Sequence, residues 1–137
     1  MKKILLISCL FLAITNYSQE KKLKKNAKIS YKVAGICGMC KNRIETAALK
    51  TKGVKFALWN VASKELKLII DERKANKAIT QQNILAVGHD IIIEGGKTKK
   101  ATELAYNSVH PCCKYRDEEI VEDHKGELQK QKKTPLK

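Results

Sequence analysis

The chain has 137 residues, room for one modest domain with appendages and not for two well-buried ones. Lys and Arg number 28 against 14 Asp and Glu, a formal charge of +14 that raises nucleic acid first, yet aromatic residues are only 5% and no array of stacking rings accompanies the charge. An apolar share of 43% argues against full disorder, and five cysteines, four of them in two tight pairs, ask for a chemical explanation.

Residues 1–18 carry Lys2 and Lys3, an apolar run from Ile4 to Ile14, and a polar stretch closing on small Ser18 before Gln19. This is the order of a secretory signal peptide. The run is too short for a transmembrane anchor. A lipoprotein cleavage box at Cys9 would follow too short a hydrophobic stretch, which argues against lipidation there. Cleavage after Ser18 removes two lysines, no acid and Cys9, leaving 26 basic and 14 acidic side chains, a net charge of +12, and four cysteines. The expected location is the bacterial periplasm or the outside of the cell, which removes chromosomal DNA and cytoplasmic RNA as partners.

Residues 19–27 are a lysine-rich lead-in with little to bury, read as solvated and flexible. From residue 29 the pattern tightens. Ile29, Tyr31 and Val33 alternate with polar residues as a strand, ended by Ala34-Gly35. Over 40–50, Cys40, Ile44, Ala47 and Ala48 share one helical face, and Gly53 closes the helix. Residues 54–61 form a second strand with Val54, Phe56 and Leu58 on one face; Leu66, Leu68 and Ile70 alternate on a third. Ala75, Ala78, Ile79, Leu85 and Ala86 suggest a second amphipathic helix up to Gly88, and 90–93 is the last strand. The order βαββαβ predicts an α+β, ferredoxin-like sandwich: a four-stranded antiparallel sheet with two helices on one face. Residues 94–137 form a C-terminal extension of weak periodicity, with a short helix over 98–109 and a charged, frayed end from Asp117.

Cys37-Gly38-Met39-Cys40 sits where the first strand hands over to the first helix. Cys40 falls in the first turn, where free backbone N–H groups and the helix dipole favour thiolate. Two thiolates converging on one point suit a soft ion, and as an incomplete set for tetrahedral zinc they favour Cu(I) or Hg(II) over Zn(II). An under-coordinated ion passes on by ligand exchange, so the pair reads as a carrier site and not as structural metal.

The stretch Tyr31-Lys32-Val33-Ala34-Gly35-Ile36-Cys37-Gly38-Met39-Cys40-Lys41-Asn42-Arg43-Ile44-Glu45, with Gly53-Val54 and Gly88-His89-Asp90, resembles the heavy-metal-associated domain over residues 28–93. That family includes copper chaperones, the amino-terminal domains of copper-transporting ATPases and the periplasmic mercury-binding protein. The resemblance implies a non-enzymatic, monomeric metal carrier that exchanges its ion with a membrane transporter or another carrier. It departs where the family usually has a Met two places before the first cysteine; here that place is Gly35, or Ile36 packs beneath a shorter loop. His89 stands in the loop before the last strand and is a candidate third ligand. Met39 more simply covers the loop with apolar surface, and Lys41 and Arg43 are candidates for steering an acidic partner.

His110, Cys112 and Cys113 form a candidate auxiliary soft-metal site in the extension. Adjacent cysteines rarely bond to each other, so disulfides to Cys37 and Cys40, or docking over the metal loop, are the other uses open to them. The chain also resembles, throughout its mature length, secreted bacterial heavy-metal-associated proteins in which a Gly-His-Asp segment precedes a Cys-Cys-Lys-Tyr tail. Two rival readings come from other classes. Cys-Gly-Met-Cys resembles a thioredoxin-like redox motif, although such folds place a βαβ unit ahead of it and a proline facing it, and the chain has only Pro111 and Pro135. The net charge fits a sequence-neutral polyanion binder, although lysine-rich ends more often serve solubility.

Overall fold

The computed structural model describes residues 22–125; the expected signal peptide with Cys9 and the end of the tail lie outside them. Strand β1 (Ala27–Val33) leads to helix α1 (Gly38–Leu49), then β2 (Val54–Trp59), β3 (Glu65–Ile70), α2 (Lys77–Ala86) and β4 (Ile91–Ile92). The extension adds β5 (Thr98–Lys99), α3 (Glu103–Asn107), a 3-10 turn at Pro111–Cys113 and α4 (Glu118–Asp123). The sheet order is β2-β3-β1-β4-β5, with every pairing antiparallel. The first four strands and two helices are the split βαβ arrangement. The sheet has five strands where four were expected, because Glu94–Gly96 turns the chain so that β5 pairs with the edge of β4.

The apolar spacing determines which faces meet. Cys40, Ile44, Ala47 and Ala48 are the buried residues of α1, and Leu66, Leu68 and Ile70 are buried on β3 opposite Tyr31, Ile29 and Ala27. β2 departs from its sequence pattern. A register shift between Val54 and Phe56 inserts a bulge, so Ala57 and Trp59 turn toward the core while Phe56 and Leu58 are left exposed on the open face of the sheet. α2 departs as well: its buried side chains are Thr80 and Ile84, and Ile79 is exposed. Thr80 is buried because its hydroxyl accepts from Tyr31 Oη at 2.9 Å. Asn76 caps α2 by accepting from the Ile79 N–H at 3.0 Å.

The described part of the lead-in is tied down. Lys24 exchanges hydrogen bonds with Glu72, and Lys55 Nζ donates to Lys25 O and Asn26 Oδ1. The extension also packs back on the domain. Val109 and Cys113 are in the core cluster, and Ile120 and Val121 of α4 pack against it. Gly88 has φ +87°, and a Cβ there would lie 2.4 Å from Ala105 O and 2.7 Å from Val109; the missing side chain lets α3 lie directly on the α2–β4 loop.

Candidate metal centre

Cys37 is the N-cap of α1, in extended conformation (φ −142°, ψ 175°), and its side chain makes no cap hydrogen bond. The sulfur is therefore free for other chemistry. Cys40 lies one turn on, fully buried, with the Ile36 N–H directed at its Sγ at 3.5 Å. The two Sγ atoms are 3.5 Å apart. Beneath them lies Trp59, buried, its indole N–H shared between Val33 O and Lys64 O at 3.2 and 3.1 Å. A Cβ on Gly35 would stand 2.9 Å from the Trp59 ring and 3.0 Å from Cys40 Cβ. Gly35 thus makes room for Trp59 to support the loop from the strand below. The loop thus carries both sulfurs to one point at the start of α1, as its spacing predicts.

Solved structures similar to the chain include a CopZ metallochaperone (25% identity, 48% of this chain and 100% of that one, TM-score 0.47). A copper CopA variant from Bacillus subtilis (31%, 53% and 97%, TM-score 0.46) and a copper-binding domain of a P-type ATPase (24%, 50% and 96%, TM-score 0.45) are others. No protein-family model matches the sequence, and no curated protein matches it.

A third thiol joins the pair. Cys113, buried at the end of the 3-10 turn, brings its Sγ to 3.6 Å from Cys37 Sγ, and the three sulfurs of Cys37, Cys40 and Cys113 all lie within 4.8 Å of one another. All four described cysteines are free thiols. The two tail cysteines divide between different surroundings. Cys113 joins the loop pair, whereas the Cys112 Sγ sits 3.9 Å from it and faces outward, 3.1 Å from His110 Nδ1 and 3.3 Å from Met39 Sδ. Met39 is 49% exposed and covers no core.

The electrostatics separate the thiols. Burial works against ionisation of Cys37, but the backbone N–H groups of Cys40 and Met39, with the thiols of Cys40 and Cys113, hold it below its ordinary value. Burial pushes Cys40 up, and burial together with the neighbouring thiols pushes Cys113 up strongly. Of the three, Cys37 is the most readily ionised, and a cation beside it would offset the burial and repulsion that hold the other two up.

His89 has a different place from the one its loop position suggested. It is fully buried and is not gathered with the sulfurs; its Nδ1–H donates to Ala34 O at 2.9 Å and its ring stacks on Tyr115. Nε2 is left a buried acceptor without a hydrogen-bond partner among the described residues, and burial lowers the histidine pKa to about 4. Lys41 and Arg43 are likewise engaged at home. Lys41 Nζ bonds Glu45 at 2.5 Å and Trp59 O at 2.8 Å, and Arg43 bonds Val87 O and Ser108 Oγ.

What delivers Cys113 is a latch between Gly88-His89-Asp90 and the segment after the cysteines. Tyr115 Oη donates to Gly88 O and accepts from the Asp90 N–H, both at 2.9 Å. Arg116 grips Asp90 through two bonds of 3.0 and 2.7 Å, while Asp90 also accepts from the Ala101 N–H. The Arg116 guanidinium lies 4.1 Å over the Tyr106 ring, and Tyr106 meets Tyr115 edge-on. Sequence alone did not pick out Tyr115 and Arg116 as a pair; the available signal was an Arg three residues past a cysteine pair in an otherwise lysine-rich tail.

Proposed function

We propose that the chain is an exported carrier or buffer of a soft metal ion, Cu(I) before Hg(II) or Zn(II), held by Cys37, Cys40 and Cys113. The observation that supports it is the meeting of three sulfurs, from two segments 76 residues apart, at the start of a helix. Three thiolates fill a trigonal Cu(I) site and leave a structural zinc site one ligand short. Loading exchanges S–H bonds for S–metal bonds and releases the thiol protons to solvent, so affinity rises with pH. Unloading proceeds by attack of a thiolate from a membrane transporter or second carrier while one of the protein's own sulfurs leaves. The export reading rests on the order of charge, apolar run and small residue in 1–18.

The rival redox reading has less support: among the described residues only β1 precedes the cysteine pair, and the pair faces a third thiol instead of a proline. The test is titration of the reduced protein with Cu(I) and, separately, Hg(II) and Zn(II), each against a chromophoric competitor. Tight binding of Cu(I) that disappears in Cys37→Ser/Cys40→Ser supports the assignment; equal affinity in that variant overturns it.

A further inference from the structure

Outside the three buried sulfurs, the structure gathers a second set of soft donors. Cys112 Sγ lies 3.1 Å from His110 Nδ1 and 3.3 Å from Met39 Sδ. The Cys112 backbone N–H also donates to His110 Nδ1 at 3.3 Å, so this nitrogen carries the ring's lone pair on the side of Cys112. The Cys112 sulfur therefore stands within hydrogen-bond distance of both an imidazole nitrogen and a thioether sulfur, three donors that a small soft cation would join. Thiolate, thioether and imidazole together select Cu(I). The set is reachable: Met39 and His110 are exposed, and a cleft of about 480 Å³ lined by Met39, His110 and Cys113 runs beside it. Cys112 Sγ is 3.9 Å from Cys113 Sγ, a separation that one Cu(I) ion bridges.

We infer that Met39, Cys112 and His110 form an outer Cu(I) position through which the ion enters and leaves the inner trithiol site. This rests on the proposed function of the inner site and adds the route to it. With the latch closed, Cys37, Cys40 and Cys113 are buried, so an incoming ion meets the outer donors first. There it sheds its carrier ligands and bonds to Met39 Sδ, His110 Nδ1 and the Cys112 thiolate, whose proton goes to solvent. The Cys113 thiol then releases its proton to solvent and its sulfur bonds to the ion as the thioether and imidazole leave. Cys37 and Cys40 complete the inner set, any thiol proton they carry going to solvent, while the Cys112–copper bond breaks and Cys112 takes back a proton. The copper remains Cu(I) throughout, and no electron is transferred.

The experiment uses the full reduced chain and Cu(I) added anaerobically as its acetonitrile complex, with a chromophoric competitor and NMR of the Met39 methyl and His110 ring signals. Two equivalents are expected. The Met39 and His110 signals shift with the second, and Met39→Leu/His110→Gln binds one equivalent with the first affinity unchanged and loads more slowly. Both substituted side chains are surface groups, and an unchanged far-UV spectrum checks the fold. One equivalent in the wild type with unmoved Met39 and His110 signals, or two equivalents of equal affinity in the variant, overturns the outer position while leaving the inner one standing. Absence of any Cu(I) uptake overturns both.

Discussion

Replacing Arg116 by Met separates the latch from the fold it fastens. Arg116 makes two charge-assisted bonds to Asp90, a third to Glu103 at 2.7 Å and a fourth to Ala101 O at 3.1 Å. The Asp90 side chain is 5% exposed and that of Arg116 20%, so this ion pair lies between exposed ones, worth about 1 kcal/mol or less, and buried ones, where losing a partner costs about 3–5 kcal/mol. A loss of about 2–3 kcal/mol is expected, most of it from the Asp90 carboxylate left buried on the Ala101 N–H alone. Asp90→Asn should cost less, since an amide oxygen still accepts from Ala101. The double variant should be more stable than the two losses added together, by about 1 kcal/mol or more. Urea unfolding of the reduced, metal-free full chain measures all four proteins, with equal m-values as the check on a common unfolded state. Because residues 115 and 116 hold Cys113 in place, Arg116→Met should also release Cu(I) to a competing chelator faster than the wild type. An Arg116→Met protein within about 0.5 kcal/mol of the wild type, or strictly additive losses, would refute the latch.

Gly35→Ala places a methyl 2.9 Å from the Trp59 ring and 3.0 Å from Cys40 Cβ, and should lower stability by about 1–3 kcal/mol, seen as a depressed Tm that Trp59→Phe partly restores; a wild-type Tm would contradict the tight contact. His89, buried and neutral, has its pKa lowered from 6.5 to about 4 by desolvation, so its contribution is complete above pH 6.5 and is lost as pH falls toward 4. At about 1.4 kcal/mol per pH unit the loss reaches roughly 3 kcal/mol, and His89→Gln should flatten the stability curve across that window; an unchanged slope in the variant would assign the acid sensitivity elsewhere.

The elements carried by regular alternation were legible. Cys40, Ile44, Ala47 and Ala48 on α1, and Leu66, Leu68 and Ile70 on β3, bury the faces their spacing predicts. Where the sequence misled, a local event broke the period. The bulge at Val54/Phe56 turned β2 over, and a hydrogen bond to Tyr31 made Thr80 a better core residue of α2 than Ile79. The loop thiols were readable because Cys37 and Cys40 are close in sequence and tied to a helix start. For Cys112 and Cys113, docking over the metal loop stood only as one of several open uses, since the Cys37–Cys113 contact spans 76 residues and depends on Tyr115 and Arg116 finding Gly88 and Asp90. Trp59 and Gly35 were individually visible, but their complementarity across the loop exists only in the folded sheet.

X-ray absorption at the copper edge, on full reduced chain loaded with one equivalent of Cu(I), tests the trithiol centre most directly. The account predicts three sulfur neighbours in the wild type and two in Cys113→Ser, with the latch residues intact in both. Two sulfur neighbours in the wild type, unchanged by Cys113→Ser, would contradict it.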